Sequence, residues 1–156
     1  MKKQDTPCLC PVGMQAGVRY RPRRSAGVNG SGSRNMIQKF AIPGRLPGYN
    51  ELHRTWQVSR RIKQDAMDLV MWSAKTRLRP VKGRCVVRIS CYEPNARRDV
   101  DNVTSGASKV ILDALQQMGV LAGDGRKYVK QVELPAPEVD RNNPRVEVEI
   151  REEDDE

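Results

Sequence analysis

Val86-Val87-Arg88-Ile89-Ser90-Cys91-Tyr92 leads through Glu93-Pro94-Asn95-Ala96-Arg97-Arg98-Asp99-Val100-Asp101-Asn102 into a segment carrying Val103, Ala107, Val110, Ile111, Ala114, Leu115 and Met118. The first seven residues alternate and are rich in β-formers, which predicts a strand. The apolar residues that follow recur at i, i+4, i+7, i+8, i+11, i+12 and i+15, the pattern of one helix face, and Gly119 supplies a C-terminal stop. A strand therefore delivers the chain into two closely spaced aspartates, and a helix starts beside them.

Reading outward from this unit, Ile37-Gln38-Lys39-Phe40-Ala41-Ile42 predicts a strand closed by the turn-forming run Pro43-Gly44-Arg45-Leu46-Pro47-Gly48. Asn50 is the expected cap of one long helix reaching toward Pro80, with Leu52, Trp56, Ile62, Ala66, Leu69, Val70 and Ala74 as its apolar stripe. Arg54, Arg60, Arg61, Lys63 and Lys75 fall largely on its other faces. Downstream, residues 127–134 and 145–150 predict two further strands, the second with Val146, Val148 and Ile150 inward and Glu147 and Glu149 outward. The expected fold is a single α+β domain of β-α-β-α-β-β order, with a mixed sheet and two main helices.

The length of 156 residues suits one such domain. Residues 1–35 are rich in Gly, Ser, Pro and Arg without hydrophobic period and are expected to be a disordered basic extension, with the functional domain spanning 36–151. Glu152-Glu153-Asp154-Asp155-Glu156 is the expected disordered acidic tail. The chain carries a net charge of +9, and residues 36–151 hold 21 basic against 13 acidic residues, hence +8. Such a surface favours a polyanionic partner through phosphate contacts and counterion release.

Composition also narrows the chemistry. Cys8, Cys10, Cys85 and Cys91 offer no zinc-ligand spacing, and the latter two sit in the alternating strand as small core hydrophobes of a reduced protein. His53 is the only histidine, which leaves nucleophilic triads almost without material. Phosphate-binding glycine motifs are absent. With one Phe, two Trp and four Tyr, aromatic platforms for bases are poorly supplied. No stretch has the apolar length of a membrane helix, and the start lacks a secretory pattern, so a cytoplasmic location without membrane association is expected.

Carboxylates grouped in a basic chain suit a hard cation such as Mg²⁺, which prefers oxygen ligands and keeps positions for water and phosphate. Asp99 and Asp101 leave a strand end, and Asp124 stands in Gly123-Asp124-Gly125 after the second helix. The fifth loop position from Asp99 is Val103, which excludes an EF-hand. Asp113 has two readings: an i, i+4 ion pair with Lys109, or an acid near the metal that orients Lys109. Arg97 and Arg98 adjoin the acids and suit a neighbouring phosphate.

Asp99-Val100-Asp101-Asn102, then Lys109, then Ile111-Leu112-Asp113-Ala114-Leu115, and Asp124 together resemble the RusA family of Holliday-junction resolvases. Ile42 to Glu51 is similar to that family's amino-terminal segment, and the resemblance covers roughly residues 37–150. It implies a homodimeric endonuclease that nicks four-way DNA junctions in recombination and repair, with Mg²⁺ as cofactor and Mn²⁺ able to replace it. By position, it implies that Asp99, Asp101 and Asp124 bind metal, that Lys109 is the active-site lysine, and that Asn102 and Asp113 support them. One departure stands out: Thr104-Ser105-Gly106-Ala107-Ser108 lies between Asn102 and Lys109, about one helical turn more than the family pattern. The alternative expectation is a DNA-binding protein that has lost cleavage.

Overall fold

The structure is a computed structural model that describes residues 36–153. The expectations for residues 1–35 and 154–156 lie outside the described residues. The elements run β1 (Ile37–Pro43), α1 (Tyr49–Leu52), α2 (Trp56–Ala74), β2 (Arg84–Glu93), α3 (Val100–Gln117), β3 (Val129–Glu133), β4 (Glu138–Val139) and β5 (Arg145–Glu153). The α+β class and the mixed sheet agree with the sequence reading, with α1 and β4 as additions.

Strand order is β1-β5-β2-β3, and β4 also pairs with β2. β5 is antiparallel to both neighbours, whereas β3 and β4 run parallel to β2. The strand expected over residues 127–134 is β3, and a gap in pairing along this edge of β2 separates it from β4. Pro135 and Pro137 fall in the gap, and neither has an N–H to give to the ladder.

One face of the sheet carries the core. Phe40, Ile42, Cys85, Val87, Ile89, Cys91, Val146, Val148 and Ile150 pack with Ala66, Met67, Val70 and Ala74 of α2 and with the α3 stripe. Each fully buried Val, Ile or Leu contributes about 1.5–3 kcal/mol. The opposite face is ionic: Lys39 pairs with Glu149 at 2.7 Å, Arg151 with Glu133 at 2.6 Å and Arg145 with Glu147 at 2.7 Å. The period-two pattern of β5 thus separates an apolar layer from a charged one.

α3 follows its periodicity closely. Val103, Ala107, Val110, Ile111, Ala114 and Leu115 are buried, and Gly119 adopts φ 74° beyond the C-cap Met118. Val120 donates to the Leu115 carbonyl at 3.0 Å and Gly119 to that of Gln116 at 3.0 Å, which closes the helix with a Schellman motif.

The helix expected from Asn50 is two helices. Gly48, not Asn50, is the N-cap of α1, and its N–H is accepted by the Glu51 carboxylate at 3.0 Å. The Asn50 N–H goes to Asn102 Oδ1 at 2.9 Å. The break falls at His53-Arg54-Thr55, where Thr55 takes the extended backbone (ψ 145°) of an N-cap for α2. His53 Nδ1 lies 2.8 Å from the Tyr49 carbonyl, and its ring stacks on Tyr49 at 3.8 Å. Trp56, expected in the apolar stripe, is 72 % exposed. α2 ends at Ala74, ahead of Pro80.

Two residues expected in the disordered acidic tail lie in the sheet instead. Glu152 and Glu153 belong to β5, because Glu153 stands opposite Arg84 in the ladder and pairs with Lys130 at 2.5 Å. Glu152 Oε1 accepts the N–H groups of Lys82 and Gly83 at 2.7 and 2.9 Å. These partners give both acids a fixed place in the sheet.

The β1–α1 turn crosses α3 at Gly106. A Cβ there would lie 2.7 Å from Gly48 Cα and closer still to the Pro47 carbonyl oxygen. Gly106→Ala should therefore destabilise the domain by about 2 kcal/mol or more in urea denaturation, although alanine favours a helix by about 1 kcal/mol. Gly125→Ala, where a Cβ meets nothing within 4 Å, should stay within about 0.5 kcal/mol of wild type.

Candidate active site

The buried positions of β2 include Cys85, Val87, Ile89, Cys91 and Glu93, so a carboxylate continues the phase of the inward residues. Glu93 is only 4 % exposed. It survives there because Arg98 meets it with a two-pronged contact, Nε to Oε2 at 3.0 Å and the second amino group to Oε1 at 2.5 Å. Arg98 also donates to the Leu46 carbonyl at 3.0 Å and lies 3.9 Å from the Glu51 carboxylate. One ion pair thus ties the end of β2 to the β1–α1 turn and to the residue before Asp99. Arg98, expected on a DNA phosphate, spends its fork inside the protein, and Arg97 is the exposed arginine of the pair.

Asp99 is the N-cap of α3 and Asp101 lies in its first turn, both exposed. Neither forms an ion pair among the described residues. Their plain physical role is to complement the positive helix end. The chemistry they also allow is oxygen ligation of a hard cation at the surface. Asn102 faces the other way, with its side-chain oxygen committed to Asn50.

α3 is unbroken from Val100 to Gln117, so the added turn before Lys109 is helical. Lys109 therefore lies eight residues beyond Asp101, about 12 Å along the axis. Its ammonium is 3.3 Å from Asp113, which also receives Lys63 of α2 at 2.5 Å. Asp113 is thus a link between the two long helices, the ion-pair reading extended by a second lysine.

Asp124 is exposed in the α3–β3 connection. That connection runs by the start of β2: Val81 donates to Val120 O at 2.9 Å and Cys85 to Tyr128 O at 3.0 Å. Asp99 and Asp101 follow the other end of β2. The eight residue steps from Cys85 to Glu93 amount to about 26 Å of strand. Within one chain the expected three-aspartate shell does not assemble, because the β2-α3-β3 crossover sends Asp124 to the opposite end of the strands. Among the described residues, no group of three or more His, Cys, Asp or Glu side chains forms an ion-binding set.

The end of the sheet that carries Asp99 and Asp101 is fixed by a second cluster which the sequence reading missed. Asp140 donates its N–H to Glu93 O at 2.8 Å, and its carboxylate accepts from Asn142, Asn143 and Arg145. The Asn143 N–H, with Arg145 next, holds this carboxyl below the usual aspartate range. The Arg145 guanidinium lies 3.9 Å from the Tyr92 ring centroid. Burial, then the Glu93 charge, pushes the Cys91 thiol up to about 11. A thiol so raised is neutral at physiological pH and serves as core.

The single legible signal for this support was Glu93 itself, an acid in the inward phase of an apolar strand and five residues before an arginine. Compared with known proteins, the chain matches no family model and no curated protein.

Glu93→Gln and Arg98→Met should each destabilise the domain by about 3–5 kcal/mol, because each leaves a buried charge without its partner. The double variant should cost clearly less than the sum of the two, as a denaturation cycle would measure.

Proposed function

We propose that the protein is a Mg²⁺-dependent, structure-selective DNA endonuclease of the RusA type that resolves four-way junctions by paired nicks as a homodimer. The observation that carries this reading is the Asp99–Asp101 pair, exposed and unpaired at the start of α3 and anchored from behind by Glu93 and Arg98. The ordered motif from Asp99 to Asp124 and the net charge of +9 support it.

Two carboxylates fit a hard cation that keeps water and phosphate in its remaining positions. A bound Mg²⁺ would polarise the scissile phosphate and ease deprotonation of a water. Asp99 and Asp101 would supply oxygen ligands and hold their geometry because α3 cannot shift without breaking the buried ion pair. Arg97 would bind a flanking phosphate. Lys109, a turn further along than in the family pattern and engaged with Asp113, would act on DNA lying along α3 instead of on the reacting phosphate.

The third carboxylate would come from a second copy. Asp124 is at the far end of β2 within its own chain, and a two-fold dimer would bring two unlike ends together at each of two equivalent sites. Two sites related in this way would match the symmetry of a junction. The competing reading, DNA binding without cleavage, draws on the displaced Lys109.

Nicking of a synthetic four-way junction in Mg²⁺ tests the proposal. Asp101→Asn should abolish nicking, by a hundredfold or more, with junction binding retained; wild-type binding without nicking in Mg²⁺ or Mn²⁺ would favour the competing reading. An exchanged equimolar mixture of Asp101→Asn and Asp124→Asn, each inactive alone, should recover about a quarter of the wild-type sites, since only a mixed dimer rebuilds an intact one. No recovery from folded, exchanging variants would reject a shared site.

A further inference from the structure

Trp56 opens α2 on the same face as Lys63 and Val70, seven and fourteen residues on, but stands beyond the part of that face that the core covers. It is 72 % exposed. The Arg60 guanidinium lies 5.4 Å from its ring centroid. Arg54 stands two residues before it in the chain, both arginines are exposed, and neither forms an ion pair among the described residues. No acid stands in the first turn of α2. Asp65, the next acid along the helix, falls about 180° round from Trp56. One connection away, the stacked rings of Tyr49 and His53 are also exposed, and the next residue, Asn50, is bonded to Asn102 beside the acidic pair.

An exposed indole among unpaired arginines would be a poor surface against another basic chain, since a second copy would bring the same cations face to face. It is a suitable one for a polyanion whose bases are free to stack. We propose that Trp56, with Arg60 over its ring and Arg54 just before it in the chain, is a stacking platform for unpaired bases of a nucleic acid, with the two arginines on the adjoining phosphates. This deepens the reading of DNA as the partner but does not depend on cleavage. The few aromatics in the composition do not argue against it, because stacking needs one accessible ring in a basic setting.

The full chain carrying Trp72→Phe, which leaves Trp56 as its one tryptophan, titrated with an oligothymidylate without divalent metal, tests the assignment. Trp56 emission should be quenched on binding, and the quenching should weaken steeply with salt. In the wild-type background, Trp56→Ala should lower affinity by about tenfold or more, and Trp56→Phe should restore most of it. Unquenched emission with unchanged affinity in Trp56→Ala would overturn the proposal. So would emission that shifts with protein concentration alone, which would mean a second copy covers the ring. Quenching in a protein that nicks no junction would uphold this platform and overturn the nuclease reading, whereas nicking with no change in Trp56→Ala binding would do the reverse.

Discussion

A carboxylate at the inward phase of a strand is the constraint around which this domain is arranged. Glu93 cannot be hydrated where it lies, so Arg98 must fold back over the strand exit to meet it. That return fixes the course of the loop between β2 and α3 and so decides where α3 begins. The same guanidinium reaches the Leu46 carbonyl, which draws the β1–α1 turn against the helix. Gly106 and Gly48 then permit a backbone approach that no side chain would allow. The exposed aspartates thus follow directly on an ion pair that solvent barely reaches.

Most of the fold was legible because it is written in local periods. β2, α3 and β5 show clean two-fold or helical alternation, and the structure follows them to within a few residues. Where a period gave way to a partner in another part of the chain, the reading missed. The break at His53–Thr55 goes with a ring stack and with an extended Thr55 backbone, neither of which alters the apolar spacing. Glu152 and Glu153 look like tail by composition, and only their ladder partners on β2 make them strand.

The candidate site was legible as a set of residue types but not as an arrangement. Asp99 and Asp101 lie where the strand exit puts them. The spacing to Asp124 carries no direction, and direction comes from the parallel pairing of β2 with β3, a long-range property. Trp56 shows the converse: its spacing marks it as core, yet the core ends before reaching it. Arg98 was misread for a related reason, since its partner Glu93 sits in a position where a sequence pattern leads one to expect an apolar residue.

The ionic face of the sheet has its own consequence. Lys39, Arg88, Arg145 and Arg151 are matched there by Glu133, Glu147 and Glu149, so that side is close to neutral. Arg54, Arg60, Arg61, Lys75, Arg77 and Arg97, on or beside the helices, pair with no acid among the described residues, and Asp65, Asp68, Asp99 and Asp101 stand on or beside the same helices without a basic partner. Charges of the sheet face thus cancel in pairs, whereas those of the helices face solvent singly. Added salt will therefore screen the helical charges more than the paired ones.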